Sequence, residues 1–292
     1  MKKVLITGAN SYIGTSVEKY ITEHYPEECS FDTVDLHDAS WKDKDFSGYD
    51  VVFHVAGIAH SDVGKISEER AKLYYSVNTD LAFETAKKAK SDGVKQFVFM
   101  SSASVYGNSG KIGKRKMIST DTSLMPVNAY GNSKVQAEKR IVPLSDNDFK
   151  VCVLRPPMIY GKGCKGNYLT LRKFALKLKF FPFVKNERSM LYVGNLCEFV
   201  RLMIVNGESG IFLPQNAEYT NTSEMVKMIA AANGRKVRLV YGFGWAIKFL
   251  GLFTGLVNKA FGNLTYSKDV SEYGNDYQKY SLLTSIEETE SE

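Results

Sequence analysis

Over the first half of this chain, short apolar runs alternate with longer stretches in which apolar residues recur every three or four positions. Val4-Leu5-Ile6 reads as a short buried strand. The stretch from Thr7 to Gly14 turns out of it into an amphipathic helix running to about Tyr25, with Ile13, Val17 and Ile21 along one face. Phe31-Asp32-Thr33-Val34-Asp35 reads as a second strand ending on an acid, and no clear third strand follows before residue 49. Tyr49 to Gly57 is a continuous apolar strand ending in small residues, which suits a parallel sheet covered on both faces. His54 inside it reads as a hydrogen-bonded core histidine. Glu68 to Lys90 has helical periodicity and contains Asn78. Gln96 to Met100 is the next strand and runs into Ser101-Ser102-Ala103-Ser104-Val105-Tyr106-Gly107. A helix carrying Tyr130 follows a polar loop, and Lys150 to Leu154 supplies a further strand, stopped by Arg155-Pro156-Pro157.

Strand alternating with helix from residue 4 to about 155 predicts an α/β fold with a doubly wound parallel sheet. A dinucleotide-binding domain of the Rossmann type is expected over residues 1–160, with a smaller, more helical lobe over 161–292. Ser189 to Val193 and Gly210 to Leu213 interrupt that lobe, and the acidic tail Glu287 to Glu292 is expected to fray.

Composition narrows the classes. The 292 residues are 44% hydrophobic and 24% charged, ordinary for a globular chain, and the net charge of +6 suits a substrate carrying phosphates. The lysines are scattered; only Lys111 to Lys116 forms a local cluster, read as a solvated loop. A nucleic-acid binder would want a concentrated basic stripe with stacking aromatics, so nucleic acid is not an expected partner. Cysteines 29, 152, 164 and 197 show no metal-ligand spacing, Cys152 reads as buried filler, and no metal site is expected. Reduced cysteines and an N-terminus that runs straight into a strand lead to a cytoplasmic expectation. Tyr241 to Leu264 is the most apolar stretch, but Lys248, Lys259 and five glycines interrupt it. It reads as helical packing surface, with shallow membrane contact as the other reading and stable insertion not expected.

Two local patterns carry chemistry. A strand, a glycine turn and a helix start are the parts of a pyrophosphate cradle: Gly8 allows the sharp turn, Gly14 lets helix pack closely on strand, and first-turn amides face the anion. Ser11 stands where the middle glycine of that pattern is usual. Asp35 lies about 20 residues beyond Gly14, where a carboxylate accepts from a ribose 2′-hydroxyl. That leans to NAD, while the adjacent His37 leaves NADP open. Downstream, Tyr130 and Lys134 share one helix face. An ammonium beside a phenol pulls its pKa below the usual value of about 10, as proton exchange near neutral pH requires. Ser101 to Ser104 fall at the carboxyl end of a parallel strand, where such sheets hold their ligands.

Thr7-Gly8…Ile13-Gly14, His54-Val55-Ala56-Gly57, Ser101 to Gly107, Tyr130…Lys134, Arg155-Pro156 with Tyr160-Gly161, and Arg188 ahead of Tyr192-Val193 together resemble the extended short-chain dehydrogenase/reductase family. The likeness is to its NAD-dependent epimerases and dehydratases of nucleotide sugars. The resemblance implies Tyr130 as acid/base, Lys134 on the nicotinamide ribose and Ser102 on the reacting oxygen. Gly8, Asn10, Ser11, Tyr12, Ile13 and Gly14 would hold the cofactor with Asp35, Ala56 and Asn78. Arg188 and Asn167 would hold the nucleotide sugar, with Ser102 and Tyr130 against the sugar itself. The C-terminal 90 or so residues match only loosely, and Asn195 stands where an aspartate is usual.

The resemblance implies NAD-dependent epimerisation at the 4-hydroxyl of a UDP-sugar through a transient 4-keto sugar, in a branch serving surface-polysaccharide synthesis. A second possibility is an NAD(P)H-dependent reductase of a UDP-4-keto-6-deoxy sugar. Dehydration would want an acid pair where Ala103 and Ser104 stand. A non-catalytic dinucleotide-binding sensor on the same fold should have lost the phenol or the lysine, and both are present. A homodimer is common in this fold and is expected by that analogy alone.

Overall fold

Six strands line up as one sheet: β1 (Lys2–Thr7), β2 (Cys29–Val34), β3 (Val51–His54), β4 (Gln96–Met100), β5 (Lys150–Leu154) and β6 (Gly210–Phe212). Their order is β6-β5-β4-β3-β1-β2, and every neighbouring pair is parallel. The chain order reverses between β1 and β3, so a crevice is expected beyond the carboxyl ends of those two strands. The link from β2 to β3 is a single 3-10 turn, Ala39–Lys42, which puts no further strand outside β2.

This is a computed structural model, and it describes residues 1–58, 66–107, 109–110, 112–244, 247, 249, 255–274 and 276–291. Two units divide them: Met1–Gly107, Ser123–Pro156 and Leu196–Pro214 form the first, and Asn108–Thr122, Pro157–Asn195 and Gln215–Glu292 the second. Gly210 to Leu213, grouped above with the second lobe, carries the edge strand β6 of the first unit, pairing with Cys152 to Leu154. Parallel pairing needs a returning crossover, and the helix Val193–Asn206 immediately precedes that strand.

Strand alternation decides the core. Leu5, Val52, Phe97, Phe99, Val151 and Val153 face one way and meet Ala82, Ala86 and Ala89 of α3 (Ala82–Ser91) and Ala137 and Ile141 of the Tyr130 helix, α4 (Ala129–Ile141). Small alanines let these helices lie close to the sheet. On the other face α1 (Tyr12–His24) buries Val17 and Ile21, its glycine turned against Ile6. His54 lies among this packing with no exposed surface. Its Nδ1 is 2.8 Å from the Thr7 hydroxyl, its ring is stacked on Phe97, and its Nε2 has no hydrogen-bond partner. Burial, and then Lys134, push its pKa down from 6.5 to about 3, so it is a neutral core residue.

The second unit holds three short parallel pairs: Met117–Ile118 with Thr265–Tyr266, Met158–Tyr160 with Met190–Tyr192, and Phe180–Pro182 with Arg238–Val240. Helix Thr222–Ala232 packs against Asn167–Lys177 and Leu282–Glu290. The acidic tail does not fray as far as residue 290. Glu290 accepts from Arg172 Nε at 2.7 Å, Tyr168 Oη at 2.8 Å and Asn233 Nδ2 at 2.8 Å, and three donors on one carboxylate anchor the last helix. Of the Lys111 to Lys116 cluster, Lys111 lies outside the described residues, and Ile112 is buried. The apolar stretch 241–264 is described except for 245, 246, 248 and 250–254. Among the described residues no helix is long and apolar enough to cross a membrane. All four cysteines are buried and reduced, Cys152 completely so.

Candidate active site

The turn after β1 is built tightly. Gly8 has φ +90°, and a Cβ there would come within 2.9 Å of the Ala56 backbone that closes β3. A Cβ on Gly14 would lie 2.7 Å from Ser11 Oγ and 3.0 Å from the Ile6 side chain. Asn10, at φ +61°, is the one non-glycine residue in the left-handed region among the described residues. Ser11 is the N-cap of α1: its Oγ accepts from the Gly14 amide at 3.2 Å. The serine that replaces the usual glycine is therefore spent on the helix, and Tyr12 and Ile13 supply the first-turn amides at the crevice. A cradle that a Cβ would fill, at the start of a 13-residue helix, fits the pyrophosphate of a dinucleotide.

Asp35 follows β2 and is exposed. Its carboxylate accepts from the His37 amide at 3.0 Å and pairs with His37 Nδ1 at 2.5 Å; the side-chain bond, then the amide bond, hold its pKa below the ordinary carboxylate value. The acid and the imidazole that pointed to different cofactors thus form one pair at the end of β2.

Asn78 is fully buried in a π-helical turn, Ser76–Leu81, between α2 (Glu68–Tyr75) and α3. Its Oδ1 accepts from the Ile58 amide at 2.8 Å, and its Nδ2 donates to the Ile58 carbonyl and to Ser133 Oγ, each at 3.2 Å. Thr79 Oγ1 donates to the Ser133 carbonyl at 2.7 Å. The wide turn therefore ties the chain beyond β3 to the helix that carries Tyr130.

Ser102, Tyr130 and Lys134 meet at the carboxyl end of β4. Ser102 caps the 3-10 turn Ala103–Tyr106, its Oγ accepting from the Ser104 amide at 3.1 Å. Gly131 lets α4 press on that turn: a Cβ would lie 2.6 Å from the Ser104 carbonyl. The half-buried Tyr130 hydroxyl consequently reaches the Ser102 side chain and hydrogen-bonds with it. The buried Tyr74 ring stands edge-on to Tyr130, centroids 6.0 Å apart.

One electrostatic expectation is overturned. Burial raises the Tyr130 pKa above 10.0, the Ser102 bond works against this, and Tyr74 adds a smaller upward push. Lys134 does not set it, because its ammonium donates to the Met100 carbonyl at 2.7 Å and lies over the Phe99 ring. Burial also pulls Lys134 down to about 8, and Glu138, one turn further along α4, opposes that.

Glu138 is part of a floor that sequence reading passed over. Arg155 Nε donates to both its oxygens, at 3.1 and 3.2 Å, and Arg155 Nη2 donates to Oε2 at 2.5 Å. Ser101 donates to Glu138 Oε1, and Arg155 Nη1 donates to the Tyr106 hydroxyl at 2.7 Å. Glu138 and Arg155 are 4% and 7% exposed, so their charges depend on one another. The available signal was the repeat of four from Tyr130 to Lys134 to Glu138 along one helix face.

Arg188 and Asn167 belong to the second unit. Arg188 exchanges backbone hydrogen bonds with Thr220 and donates from Nη1 to the Ala260 carbonyl at 3.3 Å; burial pushes its guanidinium down to about 10. Asn167 is exposed at the start of helix Asn167–Lys177. Asn195 is a fully buried clamp: it donates to Asn216 Oδ1 at 3.0 Å and the Tyr280 carbonyl at 3.1 Å, and accepts from the Tyr280 amide at 2.9 Å. An aspartate there would lose both donations.

A glycine turn shaped for a pyrophosphate, in a sheet whose next strands end at a phenol bonded to a serine, is the layout of a dinucleotide-using enzyme. The chain belongs to the NAD dependent epimerase/dehydratase family, whose profile matches residues 4–212, and is an NAD-dependent epimerase or oxidoreductase. It is 28% identical over 286 residues to a UDP-glucose 4-epimerase of Vibrio cholerae, covering 90% of this chain and 86% of that one. It is 29% identical over 225 residues to an N-acetyl-alpha-D-glucosaminyl-diphospho-ditrans,octacis-undecaprenol 4-epimerase of Escherichia coli O157:H7, covering 71% and 64%. Among solved structures, a UDP-glucuronic acid 4-epimerase of Bacillus cereus with NAD superposes with a TM-score of 0.71 at 16% identity, covering 99% of this chain and 96% of that one. At that identity the likeness is one of fold.

Proposed function

We propose that this enzyme is a nucleotide-sugar 4-epimerase, inverting the 4-hydroxyl of a UDP-hexose through a transient 4-keto sugar. The observation that carries the reading is the Tyr130 hydroxyl hydrogen-bonded with Ser102, one helical turn from Lys134, at the carboxyl edge of the sheet. The Vibrio relative supports it, being named for UDP-glucose and aligned over nearly the whole chain. The two relatives' names share a sugar held through a diphosphate, uridine in one and polyprenyl in the other, and we take the uridine form.

Tyr130 accepts the 4-hydroxyl proton and later returns it, while Ser102 donates to the oxygen that becomes the carbonyl. A dinucleotide held at the Gly8 to Gly14 turn would supply the hydride chemistry at that carbon. A phenol raised by burial is protonated at neutral pH, so it must first release its own proton to solvent before it can accept the one from the 4-hydroxyl. Positive charge brought close would ease that release. Lys134, whose charge Glu138 favours, would position the ribose. Asn78 fixes the backbone after β3, which would help hold the cofactor. Arg188 binds the diphosphate: a guanidinium that burial disfavours gains from an anion, and its fork suits phosphate oxygens.

The test is incubation with UDP-glucose, UDP-N-acetylglucosamine and a 4-keto UDP-sugar, following NADH absorbance and the product sugars. Interconversion of 4-epimers without net change in NADH is expected. Stoichiometric oxidation of NAD(P)H by the 4-keto sugar, with no interconversion, would make it a reductase.

A further inference from the structure

We propose that the second unit carries a docking face for an anionic phospholipid bilayer, independent of what the active site turns over. Residues 161–186 contain seven lysines and arginines and no aspartate or glutamate, and residues 225–268 repeat that count, seven cations and no acid. In a chain with 38 cations and 32 acids, these two stretches hold fourteen of the cations and none of the acids, although Arg172 and Lys227 pair with Glu290 and Glu224 outside them.

The fold brings the two stretches together. Phe180–Pro182 pairs in parallel with Arg238–Val240, setting Phe180 beside Arg238 in register. In-register residues of a parallel pair share a face. Phe181 turns inward at 5% exposed, while Phe180 stands 58% exposed with Arg238 also in solvent. Just beyond the pair, Tyr241 is 65% exposed, its ring tilted against Phe183 with centroids 4.7 Å apart, and Phe243 is 54% exposed. Leading into the pair, Lys177, Leu178 and Lys179 are all exposed.

Large apolar side chains in solvent, interleaved with lysine and arginine along stretches whose own sequence holds no acid, match an interface of hydrocarbon beneath anionic headgroups. No other occupant meets both halves of that chemistry. A second copy of the same face would set cation against cation. A nucleic acid would satisfy the charge and give Leu178 no apolar phase. The aromatics would sit at headgroup depth with the cations above them, which needs no membrane-spanning helix.

Sedimentation of the whole chain with vesicles tests this, using phosphatidylcholine alone and phosphatidylcholine with phosphatidylglycerol. Binding only to the anionic vesicles, weakened by salt, is expected. The triple variant Lys177→Glu, Lys179→Glu, Arg238→Glu should lose binding by tenfold or more, since each surface cation contributes roughly fivefold. Phe180→Ser with Tyr241→Ser should leave a weaker residue of binding that salt abolishes. Both variants should keep wild-type turnover of a soluble nucleotide sugar, which shows that they fold. Equal sedimentation with both vesicle types, none with either, or a triple variant that still binds would overturn the proposal. So would loss, in the same variants, of a dimer rather than of vesicle binding.

Discussion

Beneath Tyr130, Lys134 is held ionised by Glu138, Glu138 is gripped through three nitrogen–oxygen contacts by Arg155, and Arg155 also donates to Tyr106. Around Arg188 burial acts instead as a net cost, lowering the guanidinium to about 10. In the first region one carboxylate holds two cations and the Ser101 hydroxyl in place ahead of any ligand. The second is a cation that burial disfavours and that an anion beside it would favour. Under the proposed function, the difference is between a preorganised site for chemistry, which must not shift between turnovers, and a binding site that would use anion affinity to select a substrate.

Breaking the floor should give the largest effect. Glu138→Ala leaves two buried cations without their carboxylate and should cost about 3–5 kcal/mol in urea unfolding, as removing one member of a buried pair does. A loss below about 1 kcal/mol would mean the pair is not a structural unit. Arg188→Ala should act on substrate alone, raising the KM for the nucleotide sugar by about 2 kcal/mol, or some thirtyfold, while NAD affinity stays the same. Equal weakening of both ligands would remove Arg188 from the diphosphate. An effect that is absent at neutral pH and grows with acidity comes from His54. Its folded pKa of about 3 lies below its unfolded value near 6.5, so the unfolded chain binds the extra proton between those limits. Stability is full above pH 6.5 and falls by about 1.4 kcal/mol per pH unit on descending towards pH 3. In His54→Phe that slope should flatten, and parallel pH profiles for wild type and variant would contradict the assignment.

The inner strands were readable because they are buried on both faces: after their first, polar residue, Gln96–Met100 and Lys150–Leu154 are continuous apolar runs, and both fall where the sequence placed them. Strand β6 was misgrouped because three residues, one a glycine, carry no period, and their partner lies more than fifty residues back. The π turn at Asn78 was invisible for a related reason: one extra residue in a turn hardly disturbs an apolar repeat. Spacing placed Tyr130 and Lys134 on one face but says nothing about where a long flexible side chain ends. Hence the lysine was expected at the phenol and is found on the Met100 carbonyl. Glu290 shows the opposite error, since composition alone cannot reveal that a terminal acid has three donors waiting.

The most direct test of the account is Tyr130→Phe, measured for turnover and for NAD binding in the same preparation. Loss of about a hundredfold to ten-thousandfold in kcat is expected, the range for a general acid–base residue, with NAD affinity and thermal stability unchanged. Turnover within a few-fold of wild type would show that another group moves the proton, and the assignment of this hydroxyl would fall.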